Sequence, residues 1–582
     1  MLVVVLGLVA VAIGAAALKN SSSSTAPAGG SSELTAESTP ALGARFASIQ
    51  KQLALPGSKQ EGERGAADDE WLKHATPGNS IPSSAIQGSR ADWNALSHRG
   101  DGSGNWRPLG PTWGKSLPNS FRDRSVYNSG TPDFSGRIAH VAIDPSCGRG
   151  GGDDDDDDDG GGGGCRLWIA NAAGGGVWRT TNALSNNPSW RYLSMDFGHN
   201  STASIELDPN DHRANTLWVG TGEPNACGSG CEAGVGIYKS RNGGSSWSGP
   251  FGQGAGLDCG GPATCNVFYN RGVGSIEVKP GNSNVMFAAS ARALRGLSSA
   301  CCGGVDAIIP GAAHFGTYRS MNGGQTWQLV HQGAAALCNA STPDAVSLNT
   351  TPCSARGTRR VMIDPVNPNT VYAASFASGI WRSRSNGDPN TWEQIMARVG
   401  PAGPTTERAE FDLVALPNGK TRMYVGVGGG GVFARFRRND DVESAPAATV
   451  AGSWVDLTSN VEDTPGYTSR GYCDGQCSYD NYVFAPAGHF PHSGADADDV
   501  YLLGDNTYND NNWGPLSPRA PGDGPNCQGD SPSNAPPCGR SNGRAVVLSQ
   551  NAGAHFTDMT EDTRHDFYPG AQHPDHHALT VN

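Results

Sequence analysis

Charge is scarce in this chain. Asp, Glu, Lys and Arg make up 17% of its 582 residues and hydrophobic residues 37%. A coiled coil or long-helix protein would be rich in Ala, Glu, Lys and Leu, so that class is excluded. No basic stripe runs through the sequence, which removes the usual footprint of nucleic-acid binding. After Ala17 no apolar run is long enough to span a bilayer. No Cys-x-x-Cys pair occurs, so a cysteine-built zinc site lacks its usual frame. The 81 glycines follow no three-residue period, which excludes collagen.

What is abundant is glycine with proline, 81 and 38 residues, well above the roughly 12% of average usage. The chain also holds 14 Trp, 14 Tyr and 16 Phe, enough aromatic volume for a core. Tight turns plus scattered aromatics predict an all-β protein. About half of the net charge of −13 is one run, Asp153 to Asp159, so the acidity is local.

The first 17 residues, MLVVVLGLVAVAIGAAA, are uncharged and fit the apolar core of a secretory signal or an N-terminal anchor, with Ala15-Ala16-Ala17 as an A-x-A cleavage site. Residues 18–104 are rich in Ser, Ala, Gly and Pro and read as a low-complexity linker. The cysteines number 14, and most have a near neighbour: Cys147/Cys165, Cys227/Cys231, Cys259/Cys265, Cys338/Cys353, Cys473/Cys477 and Cys527/Cys538, with Cys301 and Cys302 adjacent. In an exported chain such neighbours mean loop-closing disulfides, although sequence leaves the connectivity open.

From 105 to 582 a repeat sets the fold. Each unit has a short alternating strand ending in Asp-Pro or Lys-Pro, then a turn. A second strand carries Trp168, Trp218, Tyr372, Tyr424 or Tyr501. A third carries Trp178, Tyr238, Tyr318, Trp381 or Phe433. After an Asn-Gly turn a fourth opens near Trp190, Trp247, Trp327, Trp392, Trp454 or Phe556. Four short strands per unit, repeated, predict a β-propeller of four-stranded blades. Six units are recognisable and HHALTVN starts a seventh, so the reading expects further chain beyond Asn582. Trp106 to Leu109 resembles a lone fourth strand placed before the first unit.

The turn between third and fourth strands is the most specific string. Ser240-Arg-Asn242-Gly-Gly244-Ser-Ser-Trp247, Ser320-Met-Asn322-Gly-Gly324-Gln-Thr-Trp327 and Ser549-Gln-Asn551-Ala-Gly553-Ala-His-Phe556 resemble the Asp-box, or BNR repeat, S-x-D-x-G-x-T-W. Asn stands where Asp is usual, and the box is a fold-stabilising turn. With the Asp-Pro strands, the whole is similar to the superfamily of sortilin-type propellers, family 74 glycoside hydrolases and bacterial BNR-repeat proteins. Sialidases in this wider group carry an R-I-P motif, which Arg137-Ile138-Ala139 does not match. Family 74 enzymes carry a string like R-T-D-I-G-G-A-Y-R. The stretch Asn171 to Arg179 puts Ala173 where that string has its aspartate, and alanine can be neither acid nor base.

Candidate chemistry lies in the loops. Glu223 in GTGEPN and Asp505 in LLGDN follow second strands and would emerge on one ring face, as an acid/base pair or as ordinary loop-amide acceptors. Asn171, Tyr508 and Trp513 are candidate ligand contacts, since aromatics beside amides suit sugar stacking. His573, Asp575 and His577 share one face of a strand and would converge on a metal or form a hydrogen-bonded network. The Asp153 to Asp159 loop suits weak, exchangeable Ca²⁺ or is a solvated hairpin extension. The sequence therefore predicts an exported, disulfide-bonded monomer, secreted or attached to the envelope. It would touch a membrane through its N-terminal segment alone. Its partner would be extracellular polysaccharide or protein, not nucleic acid. A glycoside hydrolase of family 74 type and a sortilin-like peptide receptor are the alternatives.

Overall fold

Short strands rich in β-branched and aromatic residues, each cut off by glycine or proline, cannot bury themselves singly and must stack as sheets. The computed structural model describes residues 138–147, 164–225, 232–255, 259, 264–293, 313–337, 353–400, 407–458, 469–489, 496–504 and 546–558, apart from a few inside these spans, together with Gly88 and Ala91. These residues form six antiparallel four-stranded sheets, each taken in strict chain order.

Blade 1 comprises β1 (Ile138–Ile143), β2 (Leu167–Asn171), β3 (Gly176–Thr180) and β4 (Trp190–Tyr192). Blade 2 comprises β5 (Thr202–Leu207), β6 (Leu217–Thr221), β7 (Ile237–Ser240) and β8 (Ser248–Phe251). The hairpin β9 (Gln253–Ala255) and β10 (Thr264–Asn266) follows it. Blade 3 is β11 (Arg271–Val278), β12 (Met286–Arg292), β13 (Gly316–Ser320) and β14 (Gln328–His331). Blade 4 is β15 (Thr358–Ile363), β16 (Val371–Ser375), β17 (Gly379–Ser383) and β18 (Trp392–Met396). Blade 5 is β19 (Arg408–Ala415), β20 (Thr421–Gly429), β21 (Val432–Asn439) and β22 (Val455–Asp456). Blade 6 is β23 (Tyr482–Phe484), β24 (Val500–Leu503), β25 (Val546–Ser549) and β26 (Thr557–Asp558), with the one-turn helix α1 (Pro486–His489) after β23. First strands of all six blades contribute to the lining of one axial cavity, the arrangement of a six-bladed β-propeller. The HHALTVN segment, residues 1–17 and Trp106 to Leu109 lie outside the described residues.

The core is a series of wedges between neighbouring blades. Trp218, Ile237, Val273, Ile276 and Met286 fill one wedge, and Phe287, Val361, Ile363, Trp381 and Trp392 fill the next. The second-strand aromatics Trp168, Trp218, Tyr372 and Tyr424 are fully buried, as the repeat predicts, and Phe287 holds that place in blade 3. Trp190 differs: it opens a fourth strand yet is 40% exposed.

Three turns between third and fourth strands share one hydrogen-bond pattern. Ser320 Oγ accepts from Gly324 N at 2.9 Å and donates to Asn322 Oδ1 at 3.0 Å, while Asn322 Oδ1 accepts from Thr326 N at 2.9 Å. Ser240/Asn242/Gly244 and Ser549/Asn551/Gly553 repeat it. Gly324 has φ +82°, and a Cβ there would meet the Trp218 ring of the preceding blade at 2.9 Å. Glycine thus serves both the left-handed backbone and the close approach of two blades.

At the other end of the first strands, Asp-Pro closes an Asx turn. Asp364 Oδ1 accepts from Val366 N and Asn367 N at 2.8 and 3.0 Å, and Tyr372 donates its hydroxyl to Oδ2 at 2.9 Å. Disulfides join Cys147–Cys165, Cys259–Cys265 and Cys473–Cys477, three of the neighbouring pairs, and Cys353 is also disulfide-bonded.

Candidate functional site

Four first strands carry a β-bulge at the same place, between Ile138 and His140, Thr202 and Ser204, Val273 and Ser275, and Thr358 and Arg360. A bulge re-aims the side chains that follow it. Pairing with the second strands then sets two rungs. In the first, His140, Ser204, Ser275, Arg360, Glu410 and Tyr482 stand opposite Ala170, Gly220, Ala289, Ala374, Gly426 and Leu503. In the second, Ala142, Glu206, Glu277, Met362, Asp412 and Phe484 stand opposite Trp168, Trp218, Phe287, Tyr372, Tyr424 and Tyr501.

The first-strand residues of these rungs, apart from Glu410 and Asp412, line a cavity of about 690 Å³ on the propeller axis. Its lining runs from His140, Ser204, Ser275, Arg360 and Tyr482 to the turns at Pro145, Pro209, Pro280 and Pro365, where Asp211 and His212 also contribute. The volume lies in the range of about 300–1,000 Å³ typical of small-ligand sites.

Charge behind the cavity wall is closely paired. Arg408 donates to Glu410 Oε2 at 2.9 Å, and both side chains are fully buried. Arg360 Nε lies 3.7 Å from Glu410 Oε1, and Arg360 Nη2 lies 3.9 Å from Asp412 Oδ1. Asp412 also accepts from Ala485 N at 2.8 Å and lies 2.8 Å from His489 Nε2, which fixes α1 against β19. The His489 ring stacks on Phe484 at 5.1 Å. Burial opposes the Arg360 charge, but Glu410, Tyr482, Asp412 and Glu277 outweigh it and raise its pKa. Burial likewise opposes the Glu410 charge, but Arg359, Arg408 and Arg360 draw its pKa below the usual value.

Glu206 and Glu277 lie on adjacent blades in the second rung, part-exposed to the cavity and walled by protein. Burial, and then the Glu277 charge, hold the Glu206 carboxyl well above its usual range. Burial pushes Glu277 up to about 7 against the pull of Arg360. Burial together with Arg360 and Arg359 lowers His140 to about 3, so its ring is neutral. Two carboxyls that resist ionisation beside a guanidinium can accept from, and donate to, a polar ligand, and can exchange a proton with it.

Of the residues singled out by sequence, Asn171 and Glu223 are described. Asn171 is buried at the end of β2, where Nδ2 donates to Gly176 O at 3.0 Å and its backbone N donates to Thr202 Oγ1 at 3.0 Å. Glu223 is 1% exposed. Its loop is clamped by Gly222 N to Ser201 O at 2.8 Å, Glu223 N to Glu232 O at 2.7 Å, and Arg359 Nε to Asn225 Oδ1 at 3.0 Å. Neither residue lines the axial cavity among the described residues. Asp505, Tyr508, Trp513, His573, Asp575, His577 and the Asp153 to Asp159 loop lie outside the described residues. Among the described residues no three His, Cys, Asp or Glu side chains are grouped to hold a metal.

The cavity acids were missed because they sit within strands, where alternation alone reads them as solvent-facing positions. One signal was available. Counting across the hairpin from each second-strand aromatic gives the second rung directly.

Fold and site together define a six-bladed propeller with a charged axial cavity. No family model matches the chain, and no curated protein matches it. Among solved structures, the Niastella koreensis GH74 enzyme is 14% identical, with a TM-score of 0.37, covering 77% of this chain and 47% of its own. An ancestral GH74 enzyme is 18% identical, with a TM-score of 0.35, covering 68% and 36%. The periplasmic gluconolactonase PpgL of Pseudomonas aeruginosa is 12% identical, with a TM-score of 0.30, covering 67% and 84%. The chain thus spans less than half the length of either GH74 enzyme. All these identities lie below 25%, and the propeller is read from its own strand ladders.

Proposed function

We propose that this protein is an exported Asp-box propeller that acts as a binding module for polysaccharide or protein, secreted or held at the envelope. One observation carries the reading. Six first strands direct His140, Glu206, Glu277, Arg360 and their neighbours to a single axial cavity that runs to the proline turns. Such convergence of donors and acceptors suits recognition of a polar ligand. The disulfides support an oxidising, extracytoplasmic compartment. Among the described residues no helix is long and apolar enough to cross a membrane. A sortilin-like peptide receptor calls for a wide apolar channel, whereas this cavity mixes apolar residues with Glu206, Glu277 and Arg360.

A second reading, glycoside hydrolysis, draws support from a specific feature. Glu206 and Glu277 are neighbouring carboxyls with raised pKa, the type of pair that supplies an acid and a base or nucleophile. One experiment separates the two readings: a polysaccharide panel offered to the oxidised chain, scored for retention and for new reducing ends. Retention without new ends is expected. New reducing ends that vanish in Glu277→Gln would establish the hydrolase instead, and absence of both would move the ligand to protein.

A further inference from the structure

Within the axial cavity the acids and the base are unequal in their partners. Arg360 is 5% exposed, lines the cavity, and lies between Glu410 and Asp412. Its charge is therefore matched, but its hydrogen bonds are not. Nη2 meets the Met362 sulfur at 3.5 Å, and Nε has no hydrogen-bond partner. A buried guanidinium carries five donors in a fixed fork, and leaving them unmade is costly. Beside it His140 Nδ1 is also buried and without a partner. Across the same cavity Glu206 makes no hydrogen bond or ion pair among the described residues; burial and then the Glu277 charge disfavour its ionisation, against the pull of Arg360. Asp208 stands nearer the mouth with the same sign.

The cavity thus presents the Glu206 carboxyl, which makes no hydrogen bond among the described residues, beside Arg360 and His140, each with a buried nitrogen that makes none. A metal ion would answer the first need and leave the second, and no metal-ligand cluster is present among the described residues. A simple anion would answer the second and worsen the first. A lysine side chain brings an ammonium on a bare alkyl stem, with no acceptor near it. A sugar ring bearing an amino group brings both together, since its ammonium is flanked by ring hydroxyls. The volume of about 690 Å³ leaves room for a sugar ring.

We propose that the axial cavity binds an amino sugar, its ammonium between Glu206 and Glu277 and a neighbouring hydroxyl oxygen on the Arg360 guanidinium. The turns at Pro145, Pro209, Pro280 and Pro365 line one end of the cavity, and the ligand enters there. This rests on the reading above that the protein binds through its cavity, and it names the ligand class. It also gives Glu206 and Glu277 a role that needs no bond cleavage.

The test is titration calorimetry on the oxidised full chain at pH 7 with four probes: D-glucosamine, N-acetyl-D-glucosamine, D-glucose and lysine amide. Glucosamine is expected to bind at least about tenfold more tightly than each of the others, because acetylation removes the charge, glucose lacks the amine, and lysine amide lacks the hydroxyls. The Glu206→Gln/Glu277→Gln double variant is expected to lose that preference with its denaturation midpoint retained. Glu206→Gln alone, expected to lose part of it, serves where the double variant does not fold. Equal binding of glucose or N-acetylglucosamine would overturn the ammonium site, and equal binding of lysine amide would overturn the sugar. No heat with any probe would leave the cavity to water. If the polysaccharide panel still shows retention of a neutral glycan, the amino-sugar site fails while the binding-module reading stands; if the panel is also blank, both fail.

Discussion

Replacing Glu277 by glutamine should make the protein more stable at pH 8 and change it little at pH 4.5. The wild-type carboxyl moves from 4.5 to about 7 on folding, because the protein walls of the cavity disfavour its charge. An acid with a raised pKa holds its proton more tightly in the folded state. Its contribution is fully present below the unfolded value and is lost as pH rises through the folded one. At about 1.36 kcal/mol per pH unit, the loss amounts to about 3 kcal/mol between pH 4.5 and 8. Glutamine cannot ionise, so the variant escapes it and also relieves Glu206 of a like charge. Arg360 keeps Glu410 and Asp412 within 4 Å and remains compensated. The assay is urea unfolding of both proteins at unit steps of pH, taking the difference at each step. Buried His140 and His331, both lowered to about 3, reduce stability as pH falls below their unfolded value of 6.5. They do so in both proteins and cancel in that difference. A difference that stays flat within about 0.5 kcal/mol across the range, or a variant less stable at pH 8, would refute a desolvated carboxyl in the cavity.

Three further predictions concern the scaffold and share the same unfolding assay. Ser320→Ala deletes the oxygen that holds Gly324 N and Asn322 in place, and should cost about 2–4 kcal/mol through a lost bond and a stranded buried N–H, while Asn322→Asp stays within about 0.5 kcal/mol or gains. Gly379→Ala should cost about 3 kcal/mol or more, since φ is +70° and the new Cβ would meet Met396 O at 2.0 Å; Gly281→Ala, with φ +79° and open space, should cost about 1 kcal/mol, and equal costs would dismiss the crowding argument. Removing the Cys147–Cys165 bridge by a double serine change frees a loop of sequence separation 18 and should cost about 3 kcal/mol, an effect that disappears when both proteins are compared under reducing conditions.

Much of the scaffold was legible because its causes are local. Alternating strands, Asn-Gly turns and second-strand aromatics such as Trp218 and Tyr424 act within a hairpin, so their pattern survives in one dimension. The three Ser-x-Asn-x-Gly turns bond within five residues of themselves. Cys147, Cys259 and Cys473 each found the neighbour that sequence placed beside them. Trp190 was less legible: it opens a fourth strand as its counterparts do, yet it is 40% exposed.

The site was not legible in the same way. Glu223 in its loop and Asn171 at the end of β2 are both buried: Asn171 bonds to Gly176 and Thr202, and the Glu223 loop is held by Arg359 through Asn225. Glu206 and Glu277 stand in the similar strings Ser204-Ile205-Glu206-Leu207 and Ser275-Ile276-Glu277-Val278 and Arg360 in a third first strand, 154 positions apart from first to last by their numbering. By itself the sequence determined the strands, their turns and their repetition, because hydrogen bonding and burial within a blade depend on near neighbours. Tertiary structure alone decided which charges share the axis. A bulge shifts the register by one residue, the ring brings six strands together, and only then do two carboxyls feel each other and the guanidinium between their neighbours.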